Sequence, residues 1–229
     1  MYLYTKRGMF NEKRKEPSGD VLQVLDKDDF IVLSLADGVS ECIHGADGAG
    51  IVGTVAMNYV ANSYSELHFL PNNWGECMLN IIRKELELVA ESKEAVFEEF
   101  SSTLMILLID RQRDIMYYCN IGDGILISVN KEKCPIICMP QCYGSTCPVV
   151  TTDGVESILE TGVLSLKNVK NIIMCTDGAW KLIYEHNIIK SDIKEYILNG
   201  DFEKFKEYIK SSNSIDDCSF AIIDVGKAA

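Results

Sequence analysis

The sequence lacks a long apolar run and an export signal. No apolar stretch reaches the ~18 residues that a membrane span needs, and residues 1–7 do not contain the apolar core of a secretory signal. We therefore expect a cytoplasmic protein without a membrane partner. Because hydrophobic residues make up 47% of the 229 residues, the chain can bury a sizeable core and is not disordered.

Positive charge is also scarce. The chain has 22 Lys and Arg against 34 Asp and Glu, which gives a formal net charge of -12. A general nucleic-acid binder needs a basic surface, so we expect no nucleic-acid partner. Most of this acidity is ordinary solvated surface, but part of it could belong to a cation site.

The nine cysteines lack the paired C-x2-C spacing of common zinc sites. An odd number of cysteines without an export signal favours reduced thiols. One local cluster is dense enough to consider as a zinc site, namely Cys134, Cys138, Cys142 and Cys147. No histidine lies nearby, so we expect unliganded thiols in a loop-rich segment rather than a bound metal ion.

The chain does contain three apolar runs that lead into an Asp followed by a Gly. The pairs are Asp37-Gly38, Asp123-Gly124 and Asp177-Gly178. Such a run is typical of a buried strand, and Asp belongs at its end. Any single pair is most simply a turn. Three strand ends together could bring three carboxylates to one edge of a sheet, where cations would have to neutralise them.

The order of the apolar segments predicts an α+β fold. Tight turns join most of the strands, and helices are inserted in pairs, which favours a four-layer α/β/β/α sandwich of two packed antiparallel sheets flanked by helix pairs. The predicted strands are 21–25, 30–36, 100–109, 115–119, 125–129, 158–166, 170–175 and 219–225. The predicted helices are 51–66, 74–89, 179–184, 191–198 and 202–209.

Two further expectations concern the organisation of the chain. No repeat or low-complexity linker divides it, so we expect one domain over residues 1–229, with an irregular surface excursion at about 130–155. The first two strands form a hairpin. Its antiparallel pairing would bring Asp20 and Asp37 to the same end of the sheet.

Residues 71–73 should break the chain, and Asn73 should cap the second helix.

Several motifs, in order, resemble the metal-dependent protein serine/threonine phosphatases, the type 2C or PPM family, and in particular its short bacterial members. The resemblance runs from about Asp20 to Val225. No single motif is specific, but five in this order make a strong joint signal. The motifs are Ala36-Asp37-Gly38-Val39, Ser101-Ser102-Thr103-Leu104, Asn120-Ile121-Gly122-Asp123, Cys175-Thr176-Asp177-Gly178-Ala179-Trp180 and Asp216-Asp217-Cys218-Ser219.

The resemblance implies two Mn2+ or Mg2+ ions, which carboxylate and carbonyl oxygens suit. Asp37 would bridge both ions and the Gly38 carbonyl would join the second, whereas Asp177 and Asp216 would hold the first. Asp20 would act through water. The basic residue that grips the phosphate in this family would be Lys15, with Arg14 beside it. The 130–155 segment would correspond to the variable flap of the family.

Three positions, Val39, Lys181 and Asp217, depart from the family pattern. Val39 stands where some members have a general-acid histidine; His44 could substitute, although a loop histidine without a catalytic role is the simpler expectation. Lys181 replaces an Asp that helps to hold a third ion, which makes a third ion doubtful and leaves Asp123 either a ligand or a turn residue. Asp217 replaces the usual Asn. Asp47 is expected to be an ordinary acid at a helix N-terminus rather than a ligand.

The resemblance implies hydrolysis of phosphoserine and phosphothreonine on proteins by a water activated between two Mn or Mg ions, with Asp37, Asp177 and Asp216 as the catalytic ligands. Its partners would be a phosphorylated protein substrate and a cognate serine/threonine kinase. The alternative is a catalytically inactive regulator that binds a phosphoprotein or a kinase, which the changes at Val39 and Lys181 keep open. An acidic-site nuclease is a third, weaker possibility because of the net negative charge.

Overall fold

The computed structural model describes residues 1–66, 73–142, 146–186 and 188–226. Among these residues it contains twelve strands and six α-helices. The strands are β1 (Tyr2–Lys6), β2 (Asp20–Asp26), β3 (Phe30–Asp37), β4 (Leu104–Asp110), β5 (Ile115–Ile121), β6 (Ile125–Val129), β7 (Ile136–Cys138), β8 (Glu160–Ser165), β9 (Asn171–Cys175), β10 (Tyr184–Glu185), β11 (Ile188–Ile189) and β12 (Cys218–Asp224). The helices are α1 (Met9–Arg14), α2 (Gly45–Asn62), α3 (Trp74–Ser92), α4 (Asp177–Ile183), α5 (Ser191–Asn199) and α6 (Phe202–Ser211).

Two five-stranded antiparallel sheets form the centre of the fold. One has the strand order β2-β3-β4-β5-β8, and the other has the order β1-β12-β9-β6-β7. In the first sheet Asp20 pairs with Asp37 and Asp26 pairs with Ile31, so the predicted hairpin and its register are confirmed. In the second sheet β12 lies between β1 and β9, and Tyr2 pairs with Ile222.

Three apolar clusters separate four layers. The first lies between helices α2 and α3 and the first sheet, and it includes Met78 and Leu108. The second lies between the second sheet and helices α4 to α6, and it includes Phe205 and Phe220. The third lies between the two sheets, where Leu33 and Met174 are fully buried. Side chains alternate between the two faces of a strand, so each sheet supplies both its outer and its inner cluster. The predicted α+β sandwich is confirmed.

Helix α2 begins earlier than the sequence suggested. The prediction placed a loop up to Gly50, whereas the helix begins at Gly45. The segment is rich in glycine, which lowers helix propensity. Packing overrides this preference, because a Cβ atom at Gly48 would clash with the carbonyl oxygen of Phe100. The helix also ends at Asn62 rather than at residue 66.

Near the N-terminus, the structure adds β1 and α1, which the sequence analysis did not predict. Asn73 precedes α3 as expected, but its side chain makes no capping hydrogen bond. The predicted chain break at 71–73 falls largely outside the described residues, since 67–72 are not among them.

The cysteine predictions need correction. Cys142 and Cys147 form a disulfide with a Cα–Cα distance of 4.4 Å, so these two thiols are not reduced. Cys134 packs against the outer cluster of the second sheet, and Cys138 belongs to the cluster between the sheets. The four cysteines therefore do not form one zinc site, because Cys134 and Cys138 pack against two different apolar clusters.

The described part of the segment 130–155 is largely irregular, as predicted, apart from β7. Within the described parts of the chain, no helix is both long enough and apolar enough to span a lipid bilayer.

Candidate metal centre

Five aspartates line one cleft at the end of the sandwich. The cleft has a volume of about 530 Å³, and its walls include Asp37, Asp123, Asp177, Asp216 and Asp217. Three of them stand at or beside the end of an element: Asp37 closes β3, Asp177 opens α4 after β9, and Asp216 precedes β12. The strand ends of both sheets thus deliver these carboxylates to one place.

Asp20 and Asp37 are cross-strand partners at this end of the first sheet. Thr103 fixes Asp37 in two ways: its amide donates a 2.8 Å hydrogen bond to the Asp37 carbonyl, and its hydroxyl accepts one of 3.0 Å from the Asp37 amide. Asp20 is 5% exposed. Its Oδ2 accepts a 2.9 Å hydrogen bond from Thr176, the residue before α4, which links the two sheets behind the cleft.

Two glycines let the backbone segments approach closely around these aspartates. A Cβ atom on Gly38 would clash with the carbonyl oxygen of Gly45 at the start of α2. A Cβ atom on Gly178 would clash with the carbonyl oxygen of Asp217. Glycine is therefore required after Asp37 and after Asp177 because a larger residue would not fit, and not because the backbone adopts a positive φ.

Asp123 reaches the cleft by a different route. The chain leaves the first sheet at Ile121 and enters the second sheet at Ile125, and Gly122 makes the crossing with φ +115°. The Trp180 indole donates a 2.6 Å hydrogen bond to the Asp123 carbonyl. Gln141 accepts a 3.0 Å hydrogen bond from the Gly122 amide. Asp123 is therefore held by a loop and by two side chains outside the crossing, and not by the hydrogen-bond ladder of a strand.

Lys181 places a positive charge among the carboxylates. Its Nζ lies 2.5 Å from Asp177 Oδ2 and 3.8 Å from Asp216 Oδ2. The Lys181 side chain is 51% exposed and the Asp177 side chain is 14% exposed, so solvent partly screens the ion pair. Although burial lowers the pKa of Lys181, the hydrogen bond to Asp177 and the nearby carboxylates raise it above its usual value.

Four carboxylic acids in and behind the cleft have raised pKa values. Burial raises the pKa of Asp37 well above its usual value, and the charges of Asp20, Asp177 and Asp123 raise it further. Burial is also the main cause of the raised pKa values of Asp20, of Asp216, and of Asp123, which reaches about 6. These shifts indicate a cluster of negative charge that the nearby Lys181 ammonium does not neutralise fully.

The oxygens of this cluster fit a hard divalent cation. Asp20 Oδ1 and Asp177 Oδ1 are buried and have no hydrogen-bond partner among the described residues. A buried carboxylate oxygen without a partner is costly, and a cation relieves that cost. Carboxylate donors without sulfur or imidazole suit Mg2+ or Mn2+. The residues that could hold such ions are therefore Asp37, Asp177, Asp216, Asp20 and, through its carbonyl, Gly38.

The two predicted phosphate-binding residues lie on α1 and at its end. Arg14 lines a second cleft of about 420 Å³ that shares Gly38 and Val39 with the first. Its guanidinium lies 3.3 Å from Glu16 and 4.9 Å from the Phe10 ring centroid. Lys15 ends the helix at φ 59° and does not occur among the described residues that line the two clefts.

Asp217 faces the cleft and also anchors the N-terminal segment. Its carboxylate accepts hydrogen bonds from the Gly8 and Gly19 amides, both at 2.6 Å, and from the Asn11 side chain at 2.8 Å. It accepts a further, longer bond from Ser18 at 3.1 Å. The acid that replaces the usual amide thus accepts four hydrogen bonds from residues 8–19.

His44 and Asp47 lie at the start of α2, beside the second cleft. His44 stacks on Phe100, with ring centroids 4.8 Å apart, and it is absent from the described lining of the acidic cleft. Asp47 pairs with Lys93 at 2.6 Å, and this hydrogen bond lowers the pKa of Asp47. Asp47 lies in the first turn of α2, as expected of an acid at a helix N-terminus.

Sequence reasoning gave no role to Thr176 and Asn120. Asn120 is 1% exposed, and both polar atoms of its side chain lack a partner among the described residues. It lines a cavity of about 10 Å³ together with Asp37 and Asp123, which is room for one water molecule. The sequence could have indicated both residues by their location, because each lies within three residues of a site aspartate in one of the motifs.

The comparisons with known proteins identify a family and a shared fold. The profile of the family described as Protein phosphatase 2C matches residues 7–211. The crystal structure of a bacterial serine phosphatase has a TM-score of 0.76 at 14% identity, over 98% of this chain and 96% of that chain. Serine/threonine phosphatase Stp1 from Staphylococcus aureus gives 0.71 at 15% identity, over 97% and 93%.

RsbX in complex with magnesium gives a TM-score of 0.60 at 17% identity, over 96% of this chain and 92% of that chain. At such low identity the solved structures establish a shared fold and nothing more. No curated protein sequence matches the chain.

Proposed function

The chain belongs to the protein phosphatase 2C family, and from this premise we propose that it hydrolyses phosphoserine and phosphothreonine on proteins with two Mg2+ or Mn2+ ions. The observation that carries the proposal is the convergence of Asp37, Asp177 and Asp216 in one cleft, backed by buried oxygens of Asp20 and Asp177 that have no hydrogen-bond partner among the described residues. A module that only binds proteins has no need of this arrangement, because the charge repulsion is costly.

The residues have distinct proposed roles. Asp37 would be shared by the two ions, the Gly38 carbonyl would help to hold the second, and Asp177 and Asp216 would hold the first. Asp20 would act through water from its buried position behind Asp37. When bound, the ions supply Lewis acidity, which acidifies a water molecule and neutralises negative charge on a phosphoryl group. The nine cysteines take no part in this proposed reaction, since it needs no covalent intermediate.

We propose two ions rather than three because of Lys181. Its ammonium already lies 2.5 Å from Asp177 Oδ2, where a further cation would compete with it. Arg14 is the better placed of the two proposed phosphate-binding residues, since it lines the cleft that adjoins Gly38. Asp123 stays a candidate ligand, held by its backbone at the rim.

The wider proposals follow from family membership. The whole chain would act as one phosphatase domain in the cytoplasm, with residues 130–155 as a flap that helps to select substrates. Its partners would be a phosphorylated protein and a cognate serine/threonine kinase.

Hydrolysis of an aryl phosphate and of a phosphothreonine peptide tests the proposal. We expect turnover with Mn2+ or Mg2+, none with a chelator, and none in Asp37→Asn. The wild-type protein would contradict the proposal if its turnover with Mn2+ did not exceed that of Asp37→Asn. Calorimetry with Mn2+ on the same two proteins measures whether the site binds metal at all.

The Lys181 ion pair favours a second candidate function, a catalytically inactive regulator that binds a phosphoprotein. Its ammonium shields two of the proposed ligands, and the surrounding cleft would then recognise a phosphorylated segment without cleaving it. Binding of a phosphothreonine peptide without turnover, in a protein that binds Mn2+ normally, would favour this candidate. Turnover that depends on Asp37 would exclude it.

A further inference from the structure

The disulfide lies at the rim of the acidic cleft. Cys147 lines the cleft together with Asp37 and Asp177. The sulfur atoms of Cys142 and Cys147 and a carboxylate oxygen of Asp123 all lie within 4.8 Å of one another. This group of one carboxylate and two sulfur atoms is separate in chemistry from the all-oxygen donors on the strand ends.

This pair differs from the cysteines of the cores. Burial raises the pKa of Cys119, Cys138 and Cys175 well above the usual value, so these thiols are poor ligands and poor nucleophiles. Cys142, by contrast, is exposed, and Cys147 is half-buried. Thiol–disulfide exchange needs access to a sulfur atom, and the Cys142–Cys147 bond offers it.

We propose that Asp123, Cys142 and Cys147 form a second metal site, which opens when the disulfide is reduced and takes a borderline or soft divalent cation such as Zn2+. The proposal does not depend on phosphatase activity. It assigns a ligand set to the irregular segment, whose cysteines have no role in phosphate chemistry.

The reduction balances with a dithiol as the reductant. A thiolate of the dithiol attacks one sulfur atom of the Cys142–Cys147 bond and forms a mixed disulfide, and the other cysteine leaves as a thiolate. The second thiol of the reductant, as its thiolate, then displaces the first cysteine. The reductant loses two electrons and becomes a disulfide. Each cysteine sulfur gains one electron and takes up one proton from the two thiols.

The freed thiols suit a cation that the oxygen site disfavours. A bound cation displaces both thiol protons to solvent and leaves two thiolates and the Asp123 carboxylate as ligands, with water in the fourth position. Sulfur ligands at about 2.3 Å from zinc stand roughly 3.8 Å apart in a tetrahedral site. The observed spread of up to 4.8 Å among the three ligand atoms is compatible with this arrangement after a small movement.

Sulfur ligation selects Zn2+ over Mg2+ and Mn2+, because soft donors prefer softer cations. The two proposed sites would therefore take different metals although they share one cleft. Asp123 is the residue that both can use, so a cation bound by the cysteines removes Asp123 from the oxygen donors.

Cobalt spectroscopy on the full chain tests the proposal. The protein is reduced with a dithiol, desalted without oxygen, saturated with Mg2+ to fill oxygen sites, and titrated with Co2+. We expect a near-ultraviolet sulfur-to-cobalt charge-transfer band in the reduced protein and none in the oxidised protein. The band should vanish in Cys142→Ser/Cys147→Ser. It should persist in Cys77→Ser, which removes an exposed cysteine on α3.

Two further measurements complete the test. Thiol titration of the unfolded chain should find seven thiols before reduction and all nine after it. Asp123→Asn should weaken cobalt binding at least ~10-fold without abolishing the band. The proposal is wrong if the reduced protein shows no band, if the band survives the double cysteine change, or if nine thiols titrate before reduction. An unchanged affinity in Asp123→Asn would remove the carboxylate from the site.

Discussion

The acidic cleft has two walls that are built in different ways. The strand-end wall consists of Asp37 and Asp177, with the buried Asp20 behind them, and the backbones of these residues lie in or directly beside the two sheets. The loop wall consists of Asp123 and Cys147, which lie on a crossing and an irregular segment, and Gln141 accepts a hydrogen bond from the crossing at Gly122. Ladder hydrogen bonds fix the first wall, whereas a few side-chain contacts and a disulfide fix the second.

The difference separates two kinds of function. Groups held by neighbouring strands stay within a narrow range of positions, as catalytic ligands require. Groups held by loops tolerate change, and loops are where selectivity and regulation concentrate. We therefore expect the strand-end wall to carry the chemistry and the loop wall to modulate it.

The largest expected effect is the loss of a carboxylate from the strand-end wall, which is compared with the loss of one from the loop wall. Asp37→Asn should lower kcat/KM on an aryl phosphate at least ~1,000-fold, equivalent to roughly 4 kcal/mol, because the bridging position is lost. Asp123→Asn should lower it only ~10-fold to 100-fold. Asp28→Asn, in the exposed turn between β2 and β3, is the control and should change nothing. Equal losses in the two walls would break the comparison.

The second effect concerns space behind the strand-end wall. Gly178→Ala should lower the free energy of unfolding by roughly 3 kcal/mol, because the new Cβ meets the carbonyl oxygen of Asp217. Gly50→Ala is the matched control, since Gly50 lies in α2 and a Cβ there has no atom within 4 Å. It should be neutral or stabilise by up to ~1 kcal/mol. Urea denaturation measures both; a neutral Gly178→Ala would show that this wall can relax.

The third effect is a dependence of the free energy of unfolding on pH in the metal-free protein. Asp123 has a folded pKa of about 6, above the value of about 4 in the unfolded chain. The folded state therefore binds more protons, and the contribution of Asp123 is full below about pH 4 and is lost as the pH rises through 6. We expect a loss of roughly 2 kcal/mol between pH 4 and pH 7.5.

Chemical denaturation with a chelator present measures this loss. Asp123→Asn should flatten the pH dependence by that amount, and saturating Mn2+ should also suppress it. A stability that rises over this pH range by the same amount in wild type and Asp123→Asn would contradict the expected sign.

The smallest effect tests the cation between the walls. Lys181→Ala should tighten Mn2+ binding roughly 10-fold, because Asp177 loses a competing charge at 2.5 Å. Lys204→Ala is the control: Lys204 pairs with Asp201 at 2.9 Å at the start of α6, away from the cleft lining. Calorimetry reports both affinity and stoichiometry. Weaker Mn2+ binding in Lys181→Ala would mean that Lys181 orients its partner Asp177.

The strand-end wall was also the more predictable wall. Two apolar runs joined by a charged turn predicted the hairpin of β2 and β3, which places Asp20 and Asp37 at the same end of the sheet. The position of Asp177 follows in the same way from the apolar strand β9. Short-range patterns are informative here because each residue's place depends on its nearest neighbours in the sheet.

The loop wall and the N-terminal segment were not predictable in this way. The disulfide depends on how the chain returns after β7, and no local pattern encodes that path. Strand β1 and helix α1 depend on distant partners, since β1 pairs with β12 and the amide of Gly8 bonds Asp217. The start of α2 likewise depends on Phe100, which lies far along the sequence.

The position of β12 in the middle of its sheet has a consequence for synthesis of the chain. Strand β1 is synthesised before β12, its partner in the sheet. Because Tyr2 pairs with Ile222, more than two hundred residues separate the two strands along the sequence. A nascent chain without β12 has neither the centre of this sheet nor Asp216 beside it. Such distant pairing slows folding. A partly made chain that ends before β12 therefore has neither the completed second sheet nor the full set of cleft carboxylates.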